Sequence, residues 1–209
     1  MKTLLRPKLI VPSLVALLGL IVITAFAAPL DKTLGERVRM VYVHGAIIRV
    51  VMAILWLAGG LSAAYLVTRR ETVFQWARAA FEGAGVLWII YLGTSVVTTL
   101  QAWGGIAWFE PRWIMTLQMT GLLPLVYVAG LIIKNPKVSA GLFAGVPVVM
   151  MLLLARAGLV LHPLDPIGES GNATIQLAYV IMLLWWALLG AQVVRGLRAW
   201  AASRSGDVV

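Results

Sequence analysis

The stretch that decides the fold is Gly45-Ala46-Ile47-Ile48-Arg49-Val50-Val51-Met52-Ala53-Ile54-Leu55-Trp56-Leu57-Ala58-Gly59-Gly60-Leu61-Ser62-Ala63-Ala64-Tyr65-Leu66-Val67. It carries a single charge, Arg49, and no polar stripe at helical spacing. A water-facing helix alternates polar and apolar faces, whereas a lipid-facing one is apolar all round. About 20 such residues cross a hydrocarbon core about 30 Å thick. Five more stretches read the same way: Leu9–Ala28, Ala84–Leu100, Trp113–Ile133, Val138–Leu161 and Ala173–Val194. No run of short alternating segments suits a barrel. The expected fold class is all-α: a single polytopic membrane domain of six transmembrane helices over residues 1–209.

Composition agrees. Hydrophobic residues make up 61% of the chain and charged residues 12%, with a mean hydropathy of +0.94. A soluble domain carries about 25% charged residues to wet its surface. Six crossings with short loops use up the 209 residues and leave no room for a soluble domain. The net charge of +9 does not call for nucleic acid, because the basic residues flank the apolar spans. There is no cysteine. That excludes disulfides, zinc–thiolate sites, iron–sulfur clusters and covalent haem attachment to this chain.

The first span also imitates a secretory signal, with Lys2, Arg6 and Lys8 before it and Ala25-Phe26-Ala27 at its end. Its apolar run is longer than a signal core, so a retained helix is expected. The tail from Ala201 to Val209 reads as disordered.

Orientation follows from Lys and Arg in the loops. One set of span ends carries Lys2, Arg6, Lys8, Arg69, Arg70, Arg78, Lys134, Lys137, Arg195, Arg198 and Arg204. The other carries Lys32, Arg37, Arg39 and Arg112. The basic set includes both termini, which are therefore expected in the cytoplasm. The outer loops are then residues 29–44, 101–112 and 162–172. Asp31, Glu36, Glu110, Asp165 and Glu169 all fall in them.

The chain has two histidines, and both fall on the outer side. His44 opens the second span and His162 ends the fifth. An interfacial imidazole can contact headgroups or cap a helix. It can also ligate a metal, and two imidazoles can hold a porphyrin iron from opposite faces. Between them in sequence, the middle outer loop carries Trp103, Gly104, Gly105, Trp108, Phe109, Glu110, Pro111 and Arg112, with Trp113 following. An aromatic belt explains one or two such residues. A dense cluster beside an arginine also suits a flat macrocycle with carboxylates. Arg49 and Arg156 lie inside the second and fifth spans. Each either snorkels to the outer surface or waits for an anionic group. No Walker motif, dinucleotide fingerprint, serine triad or zinc helix is present.

Three segments resemble one family. Arg39-Met40-Val41-Tyr42-Val43-His44, the loop Trp103-Gly104 with Phe109-Glu110-Pro111-Arg112, and Leu161-His162-Pro163 are similar in order and spacing to the haem-handling cytochrome c assembly proteins. Within these, the likeness is to the six-helix haem exporter protein C (CcmC) type, with its tryptophan-rich "WWD" loop. Trp103, Gly104 and Arg112 match the loop pattern. Ala107, Phe109 and Glu110 depart from it, and Gly45 stands where that family often has proline.

The resemblance implies haem b, held transiently and without a covalent bond, at the outer face of a bacterial or archaeal cytoplasmic membrane. His44 and His162 would be axial ligands. Trp103, Gly104, Trp108, Phe109 and Arg112 would form the platform, with Arg49 and Arg156 as further cations. The implied partners are a periplasmic haem chaperone and the subunits of an ABC-type exporter, and the implied role is c-type cytochrome biogenesis, without enzymatic chemistry. The alternatives are a haem b electron-transfer subunit and a haem-free structural subunit of a respiratory complex.

Overall fold

The computed structural model describes residues 7–106, 108–157 and 167–205. A 3₁₀ turn at Pro7–Leu9 leads into α1 (Ile10–Ala27). The chain continues through α2 (Val38–Thr68), α3 (Glu71–Trp103), α4 (Pro111–Ile133), α5 (Pro136–Arg156) and α6 (Ala173–Ser205). All six α-helices are long and apolar enough to cross a membrane. The chain is a multi-pass helical membrane protein, as its sequence leads one to expect.

Two tight turns organise the bundle, and local chemistry dictates both. Arg69 closes α2 in the left-handed conformation (φ 55°), and after Arg70 α3 begins at once. Lys134 closes α4 in the same way (φ 52°). Asn135 then caps α5 by accepting the Lys137 N–H through its side chain, with Pro136 at the first helical position. A proline there loses no helical hydrogen bond and arrives with a helical φ. Links this short force α2/α3 and α4/α5 into antiparallel hairpins.

Helices α2 and α3 form the centre. α2 packs on α3, α5, α6 and α1, and α3 also contacts α4, α5 and α6. Water cannot drive helices together inside lipid, so close packing must do so, and small residues permit it. Ala46, Ala58, Ala77, Ala80 and Ala84 are fully buried between helices. Gly59 lets α2 approach α5 so closely that a Cβ there would lie 2.8 Å from Pro147 Cγ. Near the α2–α3 turn, Tyr65, Phe74, Phe143 and Phe81 form a run of ring contacts with centroids 4.2–6.5 Å apart.

Several boundaries differ from expectation. α2 starts at Val38 rather than Gly45, and α3 at Glu71 rather than Ala84. α6 runs on to Ser205 rather than stopping at Val194, which corrects the disordered tail for residues 201–205. Residues 206–209 lie outside the described ones. The reason is common to all three. Hydropathy marks where lipid ends, but a helix continues past that plane wherever its charged residues suit helical geometry. Glu71 sits in the first turn of α3, where a helix favours negative charge. The Arg78 guanidinium pairs with Glu82 one turn on, at 2.8 Å. Arg198 of α6 donates to the Gln75 side chain of α3, tying the two extensions together.

Candidate functional site

α1 ends, α2 begins, α3 ends and α4 and α6 begin at the same end of the bundle, opposite the two arginine- and lysine-bearing turns. Short contacts fix this end. The Tyr42 hydroxyl donates to Pro29 O at 2.9 Å. The Asp31 carboxylate accepts the backbone N–H groups of Thr33 and Leu34, at 2.8 and 2.9 Å. Arg39 pairs with Glu36 and lies over the Phe26 ring.

His44 is six residues inside α2 and not at its edge, because the helix begins at Val38. At 1.5 Å per residue that is about 9 Å below the helix start. α2 itself is about 46 Å long, roughly 16 Å more than a hydrocarbon core requires. That excess is larger than the roughly 9 Å between His44 and the helix start. Its ring is half-buried and stacks on Tyr91 of α3, with centroids 5.2 Å apart and planes 23° from parallel. Its Nδ1 lies 3.3 Å from Ser95 Oγ.

A polar chain continues from there into α4. The Tyr91 hydroxyl is 3.1 Å from Thr116 Oγ1. Thr116 donates to the Arg112 carbonyl at 2.8 Å. Below it, the Trp88 indole donates to Thr120 Oγ1 at 3.0 Å, and Thr120 donates to the Thr116 carbonyl. The sequence reading overlooked Tyr91, Ser95 and Thr116. A signal existed: Tyr91 and Ser95, like Thr116 and Thr120, are spaced i, i+4 and so share a helix face within otherwise apolar spans.

The loop between α3 and α4 is shorter than residues 101–112, since both helices extend into it. Gly104 ends α3 with φ +72°, a conformation that favours glycine. Glu110 starts α4: its Oε2 accepts the Trp113 N–H at 2.8 Å, and Pro111 follows at the first helical position. The Glu110 side chain is only 3% exposed and Trp113 only 5%. Neither Glu110 Oε1 nor the Trp113 indole N–H has a hydrogen-bond partner among the described residues. Buried polar atoms without partners are uncommon. Trp108 stacks on Trp113 at 6.2 Å with planes 5° apart. Trp108 (63% exposed) and Phe109 (75% exposed) turn outward, so the loop presents flat aromatic surface beyond the bundle. Arg112 is half-buried beside it.

The other candidates are placed less centrally. Arg49 lies five residues beyond His44, about 140° around the helix. It faces α6, its guanidinium 5.1 Å from the centre of the Tyr179 ring. Gly45 makes room for the same tyrosine, since a Cβ there would lie 3.3 Å from its hydroxyl. His44 faces α3, so the two residues look into different helix interfaces. Arg156 is the exposed last residue of α5. His162 lies outside the described residues, as does Ala107, and of Trp103 only the helical backbone is described. Among the described residues, no three His, Asp or Glu side chains converge on a point where they would hold a bare metal ion. No protein-family model and no curated protein matches this chain.

Proposed function

We propose that the chain is a haem-binding membrane protein for c-type cytochrome biogenesis. On this reading it holds haem b at the outer face of a cytoplasmic membrane. It presents the haem to a periplasmic haem chaperone, alongside an ABC-type exporter assembly. The observation that carries the proposal is the pairing of His44 with the α3–α4 turn. A half-buried imidazole, held by Tyr91 and Ser95, connects through Thr116 to a turn that exposes Trp108 and Phe109. The order of His44, aromatic loop and His162 is also that of the family the sequence resembles.

Among the described residues, His44, Trp108, Phe109 and Arg112 are of the types that suit such a group. Haem, when bound, would supply an iron that accepts imidazole nitrogen. His44 and His162 would offer two such nitrogens. The exposed rings of Trp108, backed by the parallel ring of buried Trp113, and of Phe109 offer planar apolar surface to a planar molecule. Arg112 would answer a carboxylate, and Gly104 shapes the turn that Trp103 enters. Arg49 and Arg156 would serve as cations at the periphery. Neutral nitrogen ligands exchange, and an exposed loop leaves the cargo within a partner's reach.

One observation favours a second reading, a haem b electron-transfer subunit: His44 lies within the bundle rather than at a helix edge. Transfer kinetics separate the two. Haem-loaded protein mixed with an apo haem chaperone should give up its haem within the mixing experiment. Retention of haem together with reversible reduction by a quinol would reject the delivery role.

A further inference from the structure

We infer that the cleft between α3 and α4 at the basic end of the bundle binds the headgroup of an anionic phospholipid, with the Arg78 guanidinium on its phosphate. Packing opens this cleft. Toward the aromatic end, α4 is tied to α3 by the Trp88–Thr120 and Tyr91–Thr116 side-chain contacts. Toward the basic end α4 follows α5 instead. Gly130 brings those two helices so close that a Cβ there would lie 3.1 Å from Ser139 Oγ. α5 in turn lays Phe143 against Phe74 and Phe81 of α3. What remains between α3 and α4 is a cleft of about 250 Å³, counting the open space at its mouth. Buried Phe74, Phe143 and Ser139 form its floor, and Arg78, Tyr127 and Leu131 its rim.

The rim supplies the charge. Arg78 donates from Nε to Glu82 Oε1 at 2.8 Å, which holds the guanidinium in place. A guanidinium carries five N–H groups in a planar fork, so one carboxylate oxygen does not exhaust it, and the fork matches phosphate oxygens. The Arg78 side chain is 46% exposed. Arg69 and Arg70 precede α3, Lys134 and Lys137 join α4 to α5, and Glu71 is the one acid in these stretches. Basic pockets between transmembrane helices take anionic lipid headgroups in this way. The depth is right for a headgroup. Arg78 precedes the apolar span of α3 that starts near Ala84, and Gly130 and Leu131 lie in the last turn of α4. A free phosphate would need only the charges. This cleft also has apolar walls, and Leu131 continues into an exposed apolar face of α4 with Val128 and Ile132. An occupant charged at one end and apolar along the rest satisfies both, and in a membrane that is a phospholipid.

Native mass spectrometry of the full-length, delipidated protein in detergent reads the site directly, with no haem present. Three probes are titrated: dioleoylphosphatidylglycerol, dioleoylphosphatidylcholine, which has the same chains and no net charge, and inorganic phosphate. The first phosphatidylglycerol adduct is expected to fill at a clearly lower concentration than the phosphatidylcholine one, with no comparable phosphate adduct. Arg78→Gln/Glu82→Gln removes guanidinium and carboxylate together, so the net charge stays and no half-buried charge is left unpaired. It should weaken phosphatidylglycerol binding by roughly tenfold or more, the order expected of a charged hydrogen bond, and leave phosphatidylcholine unchanged. Lys134→Gln/Lys137→Gln should weaken it too. Lys8→Gln/Arg204→Gln removes the same charge from α6 and the approach to α1, which do not line the cleft, and should keep the preference. Circular dichroism checks that each variant keeps its helices. If the Arg78/Glu82 variant does not fold, the two other pairs decide between them. Equal binding of the two lipids overturns the inference. So does a preference that survives in a folded Arg78→Gln/Glu82→Gln protein, an equal loss in the lysine and control pairs, or phosphate bound as strongly as phosphatidylglycerol.

Discussion

Glu110 does two separate things with its two oxygens. Oε2 caps α4 by accepting the Trp113 N–H, while Oε1 is buried with no partner among the described residues. Losing a cap costs about 1 kcal/mol. Glu110→Ala should therefore lower the thermal unfolding midpoint in detergent. Glu110→Asp, which keeps a carboxylate at a position where aspartate is favoured, should recover most of it. Equal midpoints for the wild type and Glu110→Ala would mean the cap contributes nothing. Trp113→Phe separates stacking from hydrogen bonding, since it keeps an aromatic ring beside Trp108 and removes an indole N–H that has no described partner. Removing a buried, unpartnered donor is itself close to neutral, but the smaller ring leaves a void, so a modest loss of stability is expected. A loss of haem affinity well beyond that small destabilisation would show that the indole of Trp113 contributes to the site.

At the scale of elements, α2 and α5 approach each other closely at Gly59. A Cβ at Gly59 would meet the Pro147 ring at 2.8 Å, closer than real side-chain atoms approach. Overpacking of this kind costs about 1–3 kcal/mol. Gly59→Ala is expected to destabilise the protein by that order in denaturant unfolding. Pro147→Ala in the same chain should return part of the loss, because the clashing Cγ is gone. An additive double variant would show that the two positions do not meet.

The existence of six helices was legible in the sequence because each span is long, apolar and flanked by charge. Their ends were not. Val38 to His44 contains arginine and a histidine, and reads as loop on hydropathy, yet it is helical, which moves His44 from a helix edge to six residues inside. The candidate site was half legible. Rare residue types, histidine and clustered tryptophan, mark themselves. Tyr91, Ser95 and Thr116 do not, because single hydroxyls in apolar helices normally bond their own backbone. Thr94 and Thr98 in α3 do so, and only packing distinguishes them from Ser95.

At the scale of the whole molecule, the bundle has a basic end and an aromatic end, and we propose from the distribution of Lys and Arg that the basic end faces the cytoplasm. The chain is naturally free of cysteine, so single cysteines report cleanly. Thr33→Cys and Gly168→Cys, on the aromatic side, should react with a membrane-impermeant maleimide in intact cells. Arg70→Cys and Asn135→Cys should react only after the membrane is opened. The reverse pattern would turn the protein over and place the aromatic loop in the cytoplasm. The proposed function requires a haem held at the aromatic end by His44 and His162. Its most direct test is the absorption spectrum of purified protein with haem, beside that of His44→Ala/His162→Ala. The expected result is a low-spin, six-coordinate spectrum with split visible bands that the double variant loses. A wild type that gives no such spectrum, or a double variant whose spectrum is unchanged, would contradict it.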